Sequence, residues 1–115
     1  MCGISGKIDF KSRNLFIEDV QKSCDAMIYR GPDNITVKSS GIATLGHCRL
    51  AIIDLSAEAN QPFYSEDERY VTVFNGEIYN FQEVRNDLIK NYGIQFKTNS
   101  DTEVLLKGVI CCGPE

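Results

Sequence analysis

The hydrophobic period of this chain changes several times, and these changes restrict its fold class more than any other feature. Residues 3–10 alternate apolar and polar side chains, as a strand does. In residues 16–29 the apolar side chains recur every three or four positions, which is the spacing of one helix face. Arg30-Gly31-Pro32-Asp33 ends that helix, and residues 11–14 read as a polar turn.

The rest of the chain repeats this mixture of strand and helix signals. Runs rich in Ile, Val and Thr predict adjacent strands at 35–38, 42–45 and 50–55, and a buried strand at 70–74. Asn80 with Glu83, and Ser100 with Glu103, have the spacing of capping boxes, so two further helices are expected, with a short strand between them. The order predicts a layered α+β domain with helices on a mostly antiparallel sheet.

Charge and hydropathy exclude several function classes. The net charge of −4 arises from 12 basic and 16 acidic residues that are scattered along 115 positions, so no basic cluster suited to nucleic acid is expected. No apolar run approaches the roughly 18 to 20 residues of a membrane helix, and the first residues lack the pattern of a secretory signal. We therefore expect a cytoplasmic protein that binds neither nucleic acid nor membranes.

The five cysteines do not form a recognisable framework. They stand at positions 2, 24, 48, 111 and 112, an odd number without a C-x-x-C spacing. The chain has one histidine, His47, so no metal site is expected. Cys24, Cys111 and Cys112 fall in helical patterns and are interpreted as small apolar residues.

Cys2 differs from the other cysteines because of its place in the chain. If Met1 is removed, the thiol lies beside its own α-amine, which is a much better base at neutral pH than a lysine amine. The attacking form of a cysteine is the thiolate, so a neighbouring base favours catalysis. A cysteine after Met1 is by itself weak support. A second interpretation pairs Cys2 with His47 in the manner of papain, and a third takes His47 as a hydrogen-bonded sheet residue.

Five segments in fixed order strengthen the case for Cys2. They are Met1-Cys2-Gly3-Ile4, Arg30-Gly31-Pro32-Asp33, Arg49-Leu50-Ala51-Ile52-Ile53-Asp54, Phe74-Asn75-Gly76-Glu77-Ile78-Tyr79-Asn80 and Ser100-Asp101-Thr102-Glu103. An Asn-Gly after a strand would alone read as a hairpin turn. Together the segments resemble the glutaminase domain of glutamine-dependent asparagine synthetases, which are N-terminal-nucleophile hydrolases. The second and third segments favour that branch over other class II amidotransferases.

The resemblance implies a fold and a reaction. The fold would be a layered αββα sandwich with mostly antiparallel sheets, incomplete in this chain, which would form part of a class II glutamine amidotransferase domain at residues 1–115. Glutamine would be hydrolysed to glutamate and ammonia through a Cys2 thioester, with Asn75 and Gly76 binding the oxyanion. The implied substrate-binding residues are Arg49, Leu50, Ile52, Ile53, Asn75, Gly76, Glu77 and Asp101.

Within that set, the resemblance implies that Arg49 binds the α-carboxylate of glutamine, because a guanidinium can bind a carboxylate through two parallel hydrogen bonds. Asp101, helped by Glu77, would take the α-ammonium. Each residue also has a structural interpretation: a surface ion pair for Arg49, an acid at a helix N-terminus for Asp101 and a solvated turn for Glu77.

Three further residues, Arg30, Asp33 and Cys48, receive no single role from the sequence. Arg30 and Asp33 either steady the N-terminal strand or only end a helix. Cys48 departs from the bulkier polar residue that the family more often has there, and it places a second thiol near the expected pocket.

The resemblance also implies partners outside these residues. Family members continue with more strands and with a synthetase domain that uses ATP and Mg²⁺ to amidate aspartate, whereas no cofactor is expected in this segment. A homodimer of the full protein is compatible with the resemblance. The alternatives are a non-catalytic, binding-only fragment, or an amidotransferase with a different acceptor.

Overall fold

The computed structural model describes residues 1–11 and 15–114, and shows an α+β arrangement with antiparallel strands. The five strands are β1 (Gly3–Ile8), β2 (Asn34–Ser40), β3 (Ala43–Arg49), β4 (Phe63–Tyr64) and β5 (Val71–Thr72). The helices are α1 (Ile17–Ala26), α2 (Phe81–Tyr92) and α3 (Asp101–Cys112), with single 3₁₀ turns at Ile28–Arg30 and Ala57–Ala59. No helix in the described part of the chain is long and apolar enough to cross a membrane.

The larger sheet has three antiparallel strands, with β3 in the centre. Its order is β1-β3-β2, and Gly3 of β1 lies opposite Cys48 of β3. On the other side, Asn34 of β2 lies opposite Arg49. This register brings the start of β1 to the end of β3, so that residues 2 and 50 become neighbours although 48 positions separate them.

Helix α1 covers one face of that sheet. Its buried residues Val20 and Cys24 form the core with Cys48, and partly buried apolar side chains surround them. A Cβ added to Gly46 would lie 2.5 Å from Cys24 Sγ and 2.7 Å from Val20 Cγ1, so the glycine allows this close approach. Because side chains alternate along a strand, residues 47 and 49 point to the opposite face.

The thiol of Cys48 therefore faces the core and not the cavity described below. Its Sγ donates to the Cys24 carbonyl at 3.2 Å, and both residues are fully buried. Burial, reinforced by Cys48, raises the pKa of Cys24 to about 12. Cys24 is therefore the small apolar packing residue that the sequence predicted, and its thiol stays protonated at physiological pH.

Helices α2 and α3 pack together and bury Leu88, Val104 and Leu106. Helix α2 ends at Gly93, whose φ of 66° is the left-handed conformation that glycine tolerates. The predicted cap of α3 is confirmed, because the Ser100 side chain accepts the Glu103 N–H at 3.3 Å. The cap predicted for α2 is wrong: Asn80 makes no side-chain cap bond, and its carbonyl accepts the N–H groups of residues 83 and 84.

The strand predicted at residues 50–55 is also wrong. The segment is an irregular loop, and Ile52, Ile53 and Leu55 are exposed. Its backbone groups pair with side chains and not with a neighbouring strand: the Leu50 N–H donates to Cys2 Sγ at 3.4 Å, and the Ala51 N–H donates to Asp33 at 2.8 Å. The apolar, β-branched composition of this segment predicted a strand. The prediction failed because the hydrophobic pattern does not reveal these tertiary contacts.

Two other predicted strands differ from the structure. The buried strand at 70–74 shortens to β5, which pairs with β4 and is only half-buried, while Tyr70 is exposed. In the described chain no strand forms between α2 and α3. There the buried Glu103 carboxylate accepts the N–H groups of Lys97 and Thr98. Of the turn predicted at 11–14, residues 12–14 lie outside the described residues.

Glu103 of α3 is a buried, ionised carboxylate. Burial works to raise its pKa, but the Lys97 N–H, the Thr98 hydroxyl and Lys107 outweigh burial and lower the pKa below the usual value. The Lys107 Nζ lies 3.0 Å from the carboxylate. The charge therefore fixes the chain just before α3, where Asp101 begins the helix.

Candidate active site

A cavity of about 430 Å³ lies where β1, β3 and the N-terminus of α3 meet. Every residue that the sequence assigned to a site lines it: Cys2, Arg49, Leu50, Ile52, Ile53, Asn75, Gly76, Glu77 and Asp101. They come from four separate stretches of the chain. The structure thus brings together, in one place, residues that the sequence could only mark one segment at a time.

Cys2 reaches the cavity through the register of β1 on β3. Its Sγ accepts the Leu50 N–H at 3.4 Å and donates to the Leu50 carbonyl at 3.7 Å. The Arg30 Nε donates to the Cys2 carbonyl at 3.0 Å. Met1 is joined to Cys2 and lines the same cavity, so the Cys2 nitrogen is here a peptide N–H.

The Arg30-Gly31-Pro32-Asp33 segment does more than end a helix. Besides the Arg30 contact with Cys2, the Asp33 N–H donates to the Arg49 carbonyl at 3.0 Å, and its carboxylate accepts the Ala51 N–H. Arg30 therefore holds Cys2, and Asp33 holds the chain at residues 49–51, on the two stretches that border the cavity. Of the two interpretations left open by the sequence, the structure supports the steadying one.

Asn75 and Gly76 lie in an irregular segment after β5, and both are exposed to the cavity side. A Cβ on Gly76 would lie 2.8 Å from the Phe74 ring, so no larger residue fits beside that ring without displacing it. The Phe74 N–H donates to Gln61 Oε1 at 2.5 Å, and the Ile78 N–H donates to Asp101 Oδ2 at 3.2 Å. The segment is thus held from both of its ends.

Arg49 is 8% exposed and is held by three oxygens from the loop that follows it. Its guanidinium donates to the Ser56 carbonyl at 2.7 Å, to Asn60 Oδ1 at 2.6 Å and to the Asp54 carbonyl. None of these acceptors is a carboxylate, so the surface ion pair is the wrong interpretation. Arginine has five N–H donors, and the three bonds made within the described chain leave two for a ligand.

The acidic residues of the cavity have different surroundings. Asp101 is the first residue of α3 and is 7% exposed, with one oxygen engaged by Ile78. Glu77 is exposed and lines the cavity. Asp54 also lines it, and its pKa is lowered by hydrogen bonds from the Ser56 hydroxyl and from the N–H groups of Asn99 and Ser56. One guanidinium and three carboxylates thus line the same cavity, which matches the charges of a zwitterionic ligand.

His47 lines the cavity from the centre of β3 and is fully buried. Its Nε2 lies 3.3 Å from the Phe74 carbonyl, while Nδ1 has no partner among the described residues. The expectation of a hydrogen-bonded sheet histidine therefore holds for one ring nitrogen only. Burial lowers the pKa of His47, which favours the neutral ring. Both hydrogen bonds of the Cys2 thiol in the described chain are made with Leu50 and not with this ring.

Sequence reasoning missed two residues of the site. Gln61 is buried and connects Phe74 to Thr102 of α3, and Asp54 connects the Arg49 loop to Asn99. Asp54 belongs to one of the recognised segments, although no role was assigned to it, whereas no motif marks Gln61. Among residues 1–11 and 15–114, no three His, Cys, Asp or Glu side chains come together in a way that could hold a metal ion.

Residues 1–115 match a family described as a glutamine amidotransferase domain. The chain is 36% identical to asparagine synthetase [glutamine-hydrolyzing] 3 of Bacillus subtilis, over 96% of this chain and 18% of that protein. It is 38% identical to asparagine synthetase B [glutamine-hydrolyzing] of Escherichia coli, over 100% of this chain and 20% of the relative. It is 34% identical to the amidase chyE of Penicillium rubens. The chain spans about a fifth of the length of these relatives.

Proposed function

Because this chain belongs to the glutamine amidotransferase domain family, we propose that its cavity is a glutaminase site that releases ammonia from free glutamine. The observation that carries the proposal is the meeting of Cys2, the Asn75-Gly76 segment, Arg49 and Asp101 around one cavity. A nucleophile, oxyanion donors and groups for both ends of an amino acid are the parts that such a reaction needs.

The reaction begins at the thiol of Cys2. Once Met1 is removed, the freed α-amine takes the thiol proton, and the thiolate attacks the side-chain amide carbon of glutamine. The C–N bond breaks, the nitrogen leaves as ammonia with the proton returned by the amine, and a thioester remains. Water then attacks the thioester, which gives glutamate and restores the thiol. The bonds to Leu50 and Arg30 hold Cys2 in place for both steps.

The negative charge of each tetrahedral intermediate falls on the former amide oxygen. The Asn75 side-chain amide and the Gly76 N–H are the donors we assign to it, because both line the cavity that Cys2 enters. Donors that are already oriented stabilise such a charge without further reorganisation, and removing one from a hydrolase costs about 3 kcal/mol.

Recognition of glutamine uses both sides of the cavity. The two remaining N–H groups of Arg49 would bind the α-carboxylate, and Asp101 with Glu77 would bind the α-ammonium. The apolar side chains of Leu50, Ile52 and Ile53, which line the same cavity, would cover the methylene groups. This double recognition predicts a preference for free glutamine over glutamine within a peptide.

The papain-like alternative has less support. The Nε2 of His47 is engaged by the Phe74 carbonyl, and the ring is buried on a face where its charged form is disfavoured. The α-amine of Cys2 belongs to the same residue as the thiol, whereas His47 would have to move to form a hydrogen bond with that thiol. We therefore assign the base to the amine.

The proposal also covers the use of the ammonia and the fold of the complete domain. The similarity to glutamine-hydrolysing asparagine synthetases supports the use of this ammonia in asparagine synthesis. We further propose that a synthetase domain would use ATP and Mg²⁺ to transfer the ammonia to aspartate, in a cytoplasmic protein. The similarity to an amidase supports the alternative of another acceptor. We also infer the layered αββα sandwich of N-terminal-nucleophile hydrolases, in which α1 and the β1-β3-β2 sheet would be two neighbouring layers.

A glutaminase assay on the native protein tests this function. We expect glutamate release that disappears in Cys2→Ala and persists in Cys112→Ala, whose thiol is exposed and does not line the cavity. A glutamine-derived electrophile should label Cys2 before the other thiols. Hydrolysis that continues in Cys2→Ala would refute the proposal, and a folded, trimmed protein that binds glutamine without release would support the binding-only alternative.

A further inference from the structure

The segment that carries Asn75 and Gly76 has no regular secondary structure of its own. It leaves the short strand β5 at residue 72 and enters α2 at residue 81. A hydrogen-bond ladder therefore does not set its direction. Side chains from other elements must do so, and the contacts at Phe74 show which ones.

Both backbone groups of Phe74 are held by buried side chains. Its N–H donates to Gln61 Oε1 at 2.5 Å, and its carbonyl lies 3.3 Å from His47 Nε2. Gln61 is in turn anchored, because its Nε2 donates to Thr102 Oγ1 of α3 at 3.0 Å. His47 is anchored by its place in the central strand of the sheet. The residue just before Asn75 is thus fixed between the sheet and α3.

The partner of His47 defines its protonation. A carbonyl oxygen only accepts hydrogen bonds, so Nε2 must be the ring nitrogen that carries the proton. Burial favours the neutral ring, so Nδ1 holds the lone pair. A neutral Nε2–H tautomer keeps the bond to Phe74 without placing a cation in the core.

We propose that His47 is a positioning residue that, together with Gln61, clamps Phe74 and thereby aims the Asn75 amide and the Gly76 N–H at the reacting oxygen. This role rests on the proposed glutaminase function and adds residues to it that do not touch the substrate. His47 acts through the backbone of the oxyanion segment. Arg49, on the same face of β3, makes its contacts with a different loop.

The role predicts an effect on the chemical step and not on binding. Oxyanion donors act in the transition state, and a displacement of about 1 Å is sufficient to cost about a hundredfold in rate. Arg49 is held by oxygens of the loop at residues 54–60, and Asp101 is held by its place at the start of α3. Loss of the clamp should therefore lower kcat and leave KM nearly unchanged.

The test compares His47→Leu with His47→Gln in the native protein. Glutamine carries its amide N–H₂ near the position of Nε2, so His47→Gln can still donate to Phe74, whereas leucine cannot. We expect kcat for glutamine hydrolysis to fall about ten- to a hundredfold in His47→Leu, with KM within about threefold of the starting value. In His47→Gln, kcat should stay within about threefold of the starting value.

A second measurement separates positioning from base catalysis. Alkylation of Cys2 by iodoacetamide forms no oxyanion, so its rate should be the same in all variants. The proposal is overturned if His47→Gln is as impaired as His47→Leu, if alkylation and hydrolysis fall together, or if His47→Leu keeps full kcat. Gln61→Leu should lower kcat in the same way, and this variant carries the test if His47→Leu does not fold.

The outcomes also distinguish this inference from the function on which it rests. Wild-type protein without Cys2-dependent glutamine hydrolysis overturns both. Cys2-dependent hydrolysis that is indifferent to His47 and Gln61 overturns the positioning role alone.

Discussion

The carboxylate of Asp54 accepts the backbone N–H of Asn99 at 2.7 Å, across 45 residues of sequence. The carbonyl of the same aspartate accepts a hydrogen bond from the Arg49 guanidinium. One residue therefore links the arginine that we assign to the α-carboxylate of glutamine with the segment that leads to Asp101. The distance between the two recognition groups depends on this link.

Asp54→Ala should weaken glutamine binding without disturbing the nucleophile. The loop around Arg49 loses its tie to Asn99, so we expect KM to rise about tenfold, which corresponds to about 1.4 kcal/mol, with little change in kcat. Asp67→Ala is the matched control, because Asp67 also accepts a serine hydroxyl and a backbone N–H but lies in an exposed turn. Steady-state kinetics measures both. An unchanged KM in a folded Asp54→Ala protein would contradict the role of the link.

Arg49→Lys should reduce glutamine affinity more strongly. A lysine keeps the charge but cannot offer two parallel donors to a carboxylate while it also satisfies the loop oxygens. Loss of such a charge-assisted interaction is worth about 1.5 to 3 kcal/mol, so KM should increase at least tenfold. Arg69→Lys, at an exposed turn position, should leave KM unchanged. Equal kinetics for the two lysine variants would count against carboxylate binding by Arg49.

The amine-base mechanism predicts that Met1 is absent from active protein. Mass spectrometry should show this directly. Insertion of one serine between Met1 and Cys2 leaves the cysteine nitrogen in a peptide bond, so hydrolysis should be abolished while the thiol still reacts with iodoacetamide. A protein that keeps Met1 and hydrolyses glutamine would refute the amine as base and would favour His47 as the base.

Burial of neutral His47 predicts how stability depends on pH. Its pKa is lowered in the folded protein, so between the unfolded value of about 6.5 and the lower folded value the unfolded chain binds more protons. The free energy of unfolding should therefore fall as pH decreases below about 6.5, by at most about 1.4 kcal/mol per pH unit from this residue. Urea unfolding at pH 7.5 and pH 5.5 measures it. His47→Gln should show a smaller difference between the two pH values, and an equal difference would assign the effect to other groups.

Two glycines should respond in opposite ways to alanine. In Gly46→Ala the new methyl meets Cys24 and Val20 at under 3 Å, so overpacking should destabilise the protein by about 1 to 3 kcal/mol. Gly108 lies inside α3, where alanine is favoured over glycine, and the new methyl of Gly108→Ala would have Leu88 Cδ1 of α2 as its nearest neighbour, at 4.0 Å. Stability should therefore rise by about 0.5 to 1 kcal/mol. Thermal or urea unfolding tests the pair. Similar shifts for both variants would show that the helix-to-sheet approach at Gly46 is not tight.

Prediction from the sequence was most accurate where a signal is local. The glycine stop of α2 and the serine cap of α3 depend on neighbouring residues, and the structure confirms them, whereas α1 ends at Ala26 and not at the predicted residue 29. Residues 50–55 look like a strand, yet the side chains of Cys2, Asp33 and Arg49 bind their backbone groups. Cys2 and Asp33 lie far from this segment in the chain, so periodicity does not reveal them. The cap expected at Asn80 failed although its signal is local.

The amino-acid sequence specifies the residue types and their order: a cysteine after Met1, an Asn-Gly after a strand, an arginine and an aspartate suited to the ends of an amino acid. It also identifies the family to which they belong. That these residues share one cavity is a property of the tertiary structure, because the register of β1 on β3 brings Cys2 to Leu50. The tertiary structure alone shows Gln61 and His47 on the two sides of Phe74. Hydrogen bonds between distant segments fix such positions, and no local pattern encodes them.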